Sequence, residues 1–253
     1  MIELSKTQKY QEDQYFFPYH YSDLDSDYDR YFRRIQYINL LRVIKESLLP
    51  FKNQRILDVG CGDGRLCYEL KKEHCSITGI DYSERAITFA RAFNPEVTFF
   101  SKDINDLEVD EKFDVIILME VLEHFIPSQI DDILIKISSL LKEDGKLVIS
   151  VPSTNVPLNK KHYQHFTTET LKRTIYPSFK IETISGYGKR GFARKKFKLL
   201  HKLGIIVFIF RKSLKFSGKI FNYIDKYFYE NLSKGKPEEC GGLLAICKKL
   251  THD

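Results

Sequence analysis

The hydrophobic and polar positions of this chain follow two periods, one typical of strands and one typical of helices. Between the strand-like runs, apolar residues recur at the three- and four-residue spacing of an amphipathic helix. Such an alternation of strands and helices is typical of a doubly wound α/β fold around a parallel sheet. The predicted strands are 56–59, 76–80, 97–100, 114–119, 146–151, 179–184 and 242–247.

Three helices are predicted from the same spacing. Residues 29–48 form the first of them, and a proline ends it. Ser83 is the predicted N-cap of a helix over 84–92. Ser128 stands three residues before an aspartate, which predicts a capping box for a helix over 130–141.

The first strand ends in a turn with three glycines, Gly60, Gly62 and Gly64, and a helix pattern follows directly. Glycines let the backbone turn sharply and let a ligand approach it, and the first helical turn offers unpaired N–H groups. The spacing Gly-x-Gly-x-Gly disfavours a nicotinamide oxidoreductase, which typically has Gly-x-Gly-x-x-Gly. Asp58 at the strand end is placed to accept hydrogen bonds from an ammonium group. Asp81, after the second strand, is placed to hold a ribose diol.

Three motifs in this order resemble those of the class I S-adenosylmethionine-dependent methyltransferases: Leu57-Asp-Val-Gly-Cys-Gly-Asp-Gly64, Gly79-Ile-Asp81 and Phe113-Asp-Val-Ile-Ile-Leu118. The resemblance covers roughly residues 50 to 185. It implies a Rossmann-like sheet of seven strands whose last strand is antiparallel. It also implies S-adenosylmethionine as the cofactor.

The same resemblance implies which residues surround the cofactor. Asp58 would contact the methionine part, Asp81 the ribose hydroxyls and Tyr82 one face of the adenine. Asp103 and the amide of Ile104 would bind the adenine edge. The full set is Asp58, Gly60, Gly62, Gly64, Asp81, Tyr82, Asp103, Ile104, Met119 and Glu120.

Two polar clusters follow the fourth and fifth strands and are expected to face the same cleft. Glu120-Val-Leu-Glu123-His124 resembles the divalent-metal motif of the ubiquinone-biosynthesis O-methyltransferases and the small-RNA terminal 2′-O-methyltransferases. The latter add a histidine from the loop after strand five, where this chain has His162-Tyr-Gln-His165. The resemblance implies Mg²⁺ or Mn²⁺ bound by Glu120, Glu123, His124 and either His162 or His165. Two alternatives stay open: a metal-free basic histidine with a pKa near 6.5, or purely structural residues.

Positive charge is concentrated in one segment. The net charge is +6, but residues 189–236 contain fourteen Lys and Arg against two acidic residues, so this segment carries +12 and the remainder −6. Its apolar run, 203–210, is too short to span a bilayer, yet basic residues flank it as in an interfacial membrane anchor. A lid or subunit contact and a nucleic-acid face are the alternatives.

Four segments are predicted: an N-terminal arm and helix (1–50), a cofactor-binding core (51–188), a basic insertion (189–238) and the last strand with a tail (239–253). The tyrosine-rich part of the arm either closes over the cleft or packs elsewhere on the surface. The chain shows no secretory signal pattern, and its five cysteines match no zinc spacing. These features predict a cytoplasmic protein, with peripheral attachment to the inner face of the membrane as a further expectation.

These patterns together predict an O-methyltransferase acting on a hydroxyl of a small-molecule, saccharide or lipid-linked acceptor. RNA 2′-O-methylation is the second hypothesis, and a non-catalytic cofactor-binding scaffold is a third. The identity of the acceptor and the oligomeric state are left open by the sequence.

Overall fold

A mixed β-sheet forms the centre of the molecule. The structure, a computed structural model, describes residues 9, 12–25, 34–50, 53–176, 178–210 and 217–250. The strands in these ranges are β1 (Arg55–Val59), β2 (Ser76–Asp81), β3 (Thr98–Ser101), β4 (Phe113–Met119), β5 (Leu141–Pro152), β6 (Phe179–Lys189), β7 (Lys234–Gly235) and β8 (Cys240–Lys249). Their order is β3-β2-β1-β4-β5-β8-β6-β7.

The pairing of the strands confirms the predicted fold class. Neighbours among β1 to β5 are parallel, while β8 is antiparallel to both β5 and β6. The predicted number of strands was wrong, since the described sheet has eight rather than seven. The additional strand, β7, has two residues and pairs antiparallel with β6 at Gly186 and Tyr187. A Lys-Gly pair has no apolar pattern, so this strand could not be predicted from periodicity.

Helices cover both faces of the sheet. Those of six or more residues in the described ranges are α1 (Ile35–Ser47), α2 (Arg65–Leu70), α3 (Glu84–Phe93), α4 (Ile130–Leu140), α5 (Thr168–Ile175), α6 (Phe192–Ile209) and α7 (Ser217–Leu232). Buried side chains of α1, α2 and α3 form one core cluster with the sheet, and those of α4 and α5 form another on the opposite face. This two-sided cover is why β4 is apolar at almost every position.

Several predicted helix boundaries needed correction. The expected start of the first helix at residue 29 lies outside the described residues. Ser83 caps α3 as predicted, with its Oγ accepting from the Ala86 amide at 3.0 Å. Ser128 does not cap α4, because it lies in a separate 3₁₀ turn before the helix. Helix α4 ends at Leu140, and β5 begins earlier than predicted, since Leu141 already pairs with Phe113 across a register shift.

The basic insertion folds as two helices, α6 and α7, that pack on the start of α1. Their shared cluster buries Phe197, Phe221, Ile224 and Phe228 together with Ile35 of α1. The apolar run predicted at 203–210 lies in the second half of α6 and just beyond it. No helix in the described part of the chain is long and apolar enough to cross a membrane.

Candidate functional site

The glycine turn lies where the carboxyl ends of β1 and β2 meet. Val59 is opposite Ile80 in the parallel ladder, so both strands end at the same edge. Gly60, Gly62 and Gly64 have φ angles of 71°, 54° and 79°. Because L side chains rarely adopt these angles, the turn requires glycine at all three positions. The Gly60 amide donates to the Ile80 carbonyl at 2.7 Å and fixes the turn against β2.

Two buried carboxylates flank this turn. Asp81 accepts from the Gly62 amide at 2.9 Å and from the Ser83 amide at 2.8 Å. Asp58 accepts from the Cys67 thiol, with 3.4 Å between Sγ and Oδ2. Burial raises the pKa of Asp58 to about 7 and the pKa of Asp81 to about 6. A buried carboxylate bound by a weak thiol donor suits an ammonium group, and the remaining lone pairs of Asp81 suit two hydroxyls. The pair therefore fits the methionine and ribose parts of S-adenosylmethionine.

The other predicted cofactor residues follow the ends of β2, β3 and β4. Tyr82 is half-buried beside Asp81. Asp103 caps a 3₁₀ turn by accepting from the Asn105 amide at 2.9 Å, and the side chain of Ile104 is buried in the core. Met119 is the last residue of β4 and packs at the edge of the core. The sheet thus brings these positions to one edge, and their contacts with the cofactor stay predictions.

The N-terminal arm lies on the glycine turn. A Cβ on Gly62 would overlap the hydroxyl of Tyr15, and burial raises the pKa of Tyr15. Asp63, wholly buried in the turn, accepts from the His20 amide at 3.2 Å and lies 3.0 Å from His20 Nδ1. Sequence reasoning missed His20, which belongs to no periodic pattern or motif, and it gave Asp63 no role although this residue lies inside the glycine motif. The arm thus contacts the glycine turn, and its closure over the cofactor stays a prediction.

Glu120 follows β4 with a left-handed backbone, φ 58°. Its carboxylate accepts from the Tyr187 hydroxyl, and also from Ser150 Oγ at 3.3 Å. Its backbone amide donates to the Ser150 carbonyl at 3.0 Å. Sequence reasoning missed Tyr187 and Ser150. They lie on β6 and β5, and only the order of the strands in the sheet brings them close to Glu120.

Glu123 is fully buried, and neither of its carboxyl oxygens has a hydrogen-bond partner. His124 lies beside it, with 3.9 Å between Nε2 and Glu123 Oε1. His162 approaches from the loop after β5, with its ring 4.7 Å from that of His124. The Tyr163 amide donates to the Glu123 carbonyl at 2.9 Å and holds the loop in place. The structure thus joins the two polar clusters that the sequence predicted to share one cleft.

Burial sets the ionisation of this cluster. It lowers the pKa of His124 to about 4 and the pKa of His162 to about 3. It also raises the pKa of Glu123 well above its usual value, with a further contribution from the nearby charge of Glu120. Both histidine pKa values lie below the unperturbed value of about 6.5, so both imidazoles are neutral at physiological pH.

The predicted metal ligands are only partly assembled. In the described residues, Glu123, His124 and His162 place one potential ligand atom each within 4.8 Å of the others. Glu120 is not in this group; its Oε1 accepts hydrogen bonds from Tyr187 and Ser150. His165 is not in it either, since its Nε2 lies 2.9 Å from His162 Nδ1 and its Nδ1 lies 3.1 Å from the Val156 carbonyl. The set that fits a divalent cation is therefore two imidazoles and one carboxylate.

The parallel sheet with an antiparallel last strand, and the glycine turn between Asp58 and Asp81, define the class I methyltransferase fold. The methyltransferase domain family matches residues 50–206, and the chain belongs to this family. Among solved structures, N-methyltransferase NodS from Bradyrhizobium japonicum WM9 in complex with S-adenosyl-L-homocysteine has a TM-score of 0.63. It is 17% identical, and the match covers 98% of this chain and 100% of that one.

Curated relatives share more sequence over a shorter stretch. A protein of Geobacillus sp. (strain WCH70) named as a methyltransferase is 37% identical over 136 residues, covering 50% of this chain and 55% of its own. The ubiquinone biosynthesis O-methyltransferase of Coxiella burnetii (strain Dugway 5J108-111) is 31% identical over 144 residues, covering 53% and 61%. This chain thus spans between half and two thirds of the length of these relatives.

Proposed function

We propose that the protein transfers a methyl group from S-adenosylmethionine to a hydroxyl oxygen. The observation that carries this proposal is the buried, unpartnered carboxyl of Glu123 beside two neutral imidazoles. Leaving such a group without a partner costs about 1–3 kcal/mol, so the site suits a ligand that supplies the missing bond. The curated relative named as an O-methyltransferase supports oxygen as the acceptor atom.

S-adenosylmethionine, when bound, supplies an electrophilic methyl group on its sulfonium. Asp58 binds the ammonium of the methionine part, and Asp81 orients the ribose hydroxyls. The arm residue Tyr15 covers the turn and excludes water. Because methyl transfer is an in-line displacement, this positioning supplies much of the rate.

Glu123 is the proposed general base. A carboxylate with a raised pKa is a stronger proton acceptor, and a positioned base typically contributes about 10²–10⁴-fold. The Nε2 atoms of His124 and His162 are hydrogen-bond acceptors, so they bind neighbouring hydroxyls of the acceptor and leave the reacting hydroxyl to Glu123. Because Glu123 must lose its proton before it can act, the rate of methyl transfer should rise with pH through the raised pKa of Glu123, and Glu123→Gln should abolish this rise.

A divalent cation is the second proposed role of the same cluster. Glu123, His124 and His162 offer one oxygen and two nitrogens, which suits Mn²⁺ better than the oxygen-preferring Mg²⁺. A bound cation would lower the pKa of the acceptor hydroxyl. The protein is first dialysed against a chelator and its activity is measured. Mn²⁺ is then added back, and the amount bound by the wild type is compared with that bound by Glu123→Gln, which separates the two roles. Full activity without metal would leave the base mechanism.

The exposed face of α6 is proposed to rest on an anionic membrane surface. Leu199, Leu203 and Ile206 recur on one helical face and are 50–61% exposed. Lys196 and Lys202 are exposed on the same helix. Apolar side chains flanked by cations are typical of an interfacial helix. RNA is less favoured as a partner, because a phosphate-binding face would not expose this aliphatic row.

The test of the proposed function is methyl transfer itself. The protein is incubated with methyl-labelled S-adenosylmethionine and separate lipid, saccharide and RNA extracts. Labelled product that resists alkaline cleavage of methyl esters supports an ether linkage to a hydroxyl oxygen. Labelling confined to amines, or its absence with every extract, contradicts the proposal.

A further inference from the structure

A cavity of about 680 Å³ opens beside Glu120 at the carboxyl edge of the sheet. Its wall includes Tyr187, whose hydroxyl donates to Glu120, and side chains of α1 and α6. Small-molecule sites typically measure about 300–1,000 Å³. The cavity is therefore large enough for a methyl acceptor, and it reaches Glu120, one of the predicted cofactor residues.

The far wall of this cavity is positively charged. Arg190, Arg194, Lys195 and Lys198 all line it, and the only acidic residue among its described lining residues is Glu120. In the described part of the chain, none of these four cations forms a salt bridge with a carboxylate. The preceding residue, Lys189, shows the contrast, since it pairs with Glu239 at 2.8 Å. Among the residues that the structure describes, the charge on this wall is thus unbalanced.

The guanidinium of Arg194 is held in place by neighbouring side chains. Its guanidinium lies 5.6 Å from the ring centroid of Phe197 and 5.8 Å from that of Phe228. When the side-chain amide of Gln36 is oriented with its oxygen toward Arg194, Arg194 Nη1 donates to that oxygen at 2.9 Å. Burial and the charge of Arg190 lower the pKa of Arg194. A fixed, planar guanidinium in a region short of negative charge suits the bidentate binding of a phosphate.

The number of cations indicates the chemistry of the ligand. A neutral acceptor would leave all four charges without a counterion, and a single carboxylate would supply one negative charge. A phosphate or diphosphate supplies about two or more, together with several acceptor oxygens. Resting on the proposed function, we propose that the methyl acceptor is a hydroxyl compound bearing a phosphate or diphosphate group. That group binds Arg190, Arg194, Lys195 and Lys198.

The binding test uses inorganic pyrophosphate as the probe. Calorimetry on the protein loaded with S-adenosylhomocysteine, at constant ionic strength, should detect binding by the wild type. The variant Lys195→Gln/Lys198→Gln removes two exposed charges from the cavity and should weaken binding at least tenfold. The matched control Lys196→Gln/Lys202→Gln removes two charges from the same helix outside the cavity and should stay within twofold. Equal weakening in both variants, or no binding by the wild type, overturns the proposal.

A product test distinguishes failure of this inference from failure of the proposed function. Labelled product from the methyl-transfer assay is divided between aqueous and organic phases, passed over an anion exchanger and analysed for phosphorus. A retained, phosphorus-containing product supports the inference; its phase tells a soluble ester from a lipid-linked one. A labelled product without phosphorus overturns the inference and leaves methyl transfer standing. No labelled product in any extract contradicts the proposed function and, with it, this acceptor.

Discussion

His162 and His165 share a hydrogen bond, with 2.9 Å between Nδ1 of His162 and Nε2 of His165. His165 Nδ1 faces the Val156 carbonyl and must donate to it, so Nε2 of a neutral His165 is the acceptor. His162 therefore donates through Nδ1, and its Nε2 keeps a free lone pair. His124 is fixed in the same way, because its Nδ1 lies 3.0 Å from the Lys161 carbonyl. Both imidazoles are thus prepared to accept a hydrogen bond, or bind a cation, through Nε2.

His165 should act on the reaction through His162 rather than by contact with the substrate. Replacing His165 with Ala removes the partner that fixes the His162 tautomer, and loss of such a partner typically costs about 10–100-fold in activity or metal affinity. We expect kcat to fall by that amount, while calorimetry shows unchanged affinity for S-adenosylhomocysteine. His165→Gln, which can still accept at the same position, should restore part of the rate. Equal loss in both variants would point to a purely structural role.

Glu123 should lower the stability of the fold. Its carboxyl is buried without a hydrogen-bond partner, and such a group costs about 1–3 kcal/mol. Glu123→Met has similar volume and no polar atom, so it should raise the free energy of unfolding by about that amount and abolish methyl transfer. Urea denaturation of both proteins measures the change. A destabilised variant would mean that the carboxyl has a partner in solution.

Cofactor affinity should fall as the pH drops below 7. Asp58 has a raised pKa of about 7, so at pH 7 half of the free protein carries a proton on Asp58. This proton must be released before Asp58 can bind an ammonium. Asp81, whose pKa is about 6, must also lose its proton before it binds the ribose hydroxyls, and it does so about one pH unit lower than Asp58. The dissociation constant of S-adenosylhomocysteine should therefore rise about tenfold from pH 7 to 6, and more steeply below. Calorimetry in two buffers of different ionisation enthalpy should show proton release on binding at pH 6.5. An affinity independent of pH would contradict the placement of both carboxylates in the cofactor site.

Asp81→Asn should weaken S-adenosylhomocysteine binding without unfolding the protein. Hydrogen bonds to a charged group contribute about 1.5–3 kcal/mol each, so loss of charge toward two ribose hydroxyls predicts a weakening of at least about tenfold. Asp81→Ala, as a test, would also remove the acceptor for the Gly62 and Ser83 amides. The Asn variant keeps one of these acceptors, and its melting temperature should stay close to that of the wild type. Unchanged affinity would rule out the predicted ribose contact.

The sequence predicted the sheet and its cofactor edge because both depend on local patterns. The buried strands are continuous apolar runs, and the turn needs glycine at Gly60, Gly62 and Gly64. The acids Asp58 and Asp81 follow their strands directly, so strand order alone places them together.

The acceptor side could not be predicted in the same way, since its contacts join distant segments. Glu120 and Glu123 are three residues apart, yet β5 and β6 supply Ser150 and Tyr187 to Glu120 alone. Glu120 therefore has hydrogen-bond partners, whereas neither carboxyl oxygen of Glu123 has one. The contact of Tyr15 with Gly62 likewise depends on the path of the N-terminal arm. No periodic pattern in the sequence predicts that path.

The exposed face of α6 should draw the protein to anionic vesicles. Each well-placed Lys or Arg contributes about 1 kcal/mol near such a surface, and salt screens this part. Burial of Leu203 and Ile206 adds a part that salt does not weaken, at about 25 cal/mol per Å². Co-sedimentation with anionic vesicles should therefore decrease, but persist, at high salt, whereas RNA binding would be lost steeply.

Leu203→Ser/Ile206→Ser should abolish the salt-resistant part of vesicle binding. Ile135→Ser is the control, because Ile135 is 60% exposed on α4, away from the basic segment. If neither vesicles nor RNA bind, or if the control variant behaves like the double variant, α6 is a lid or subunit contact and the membrane proposal fails.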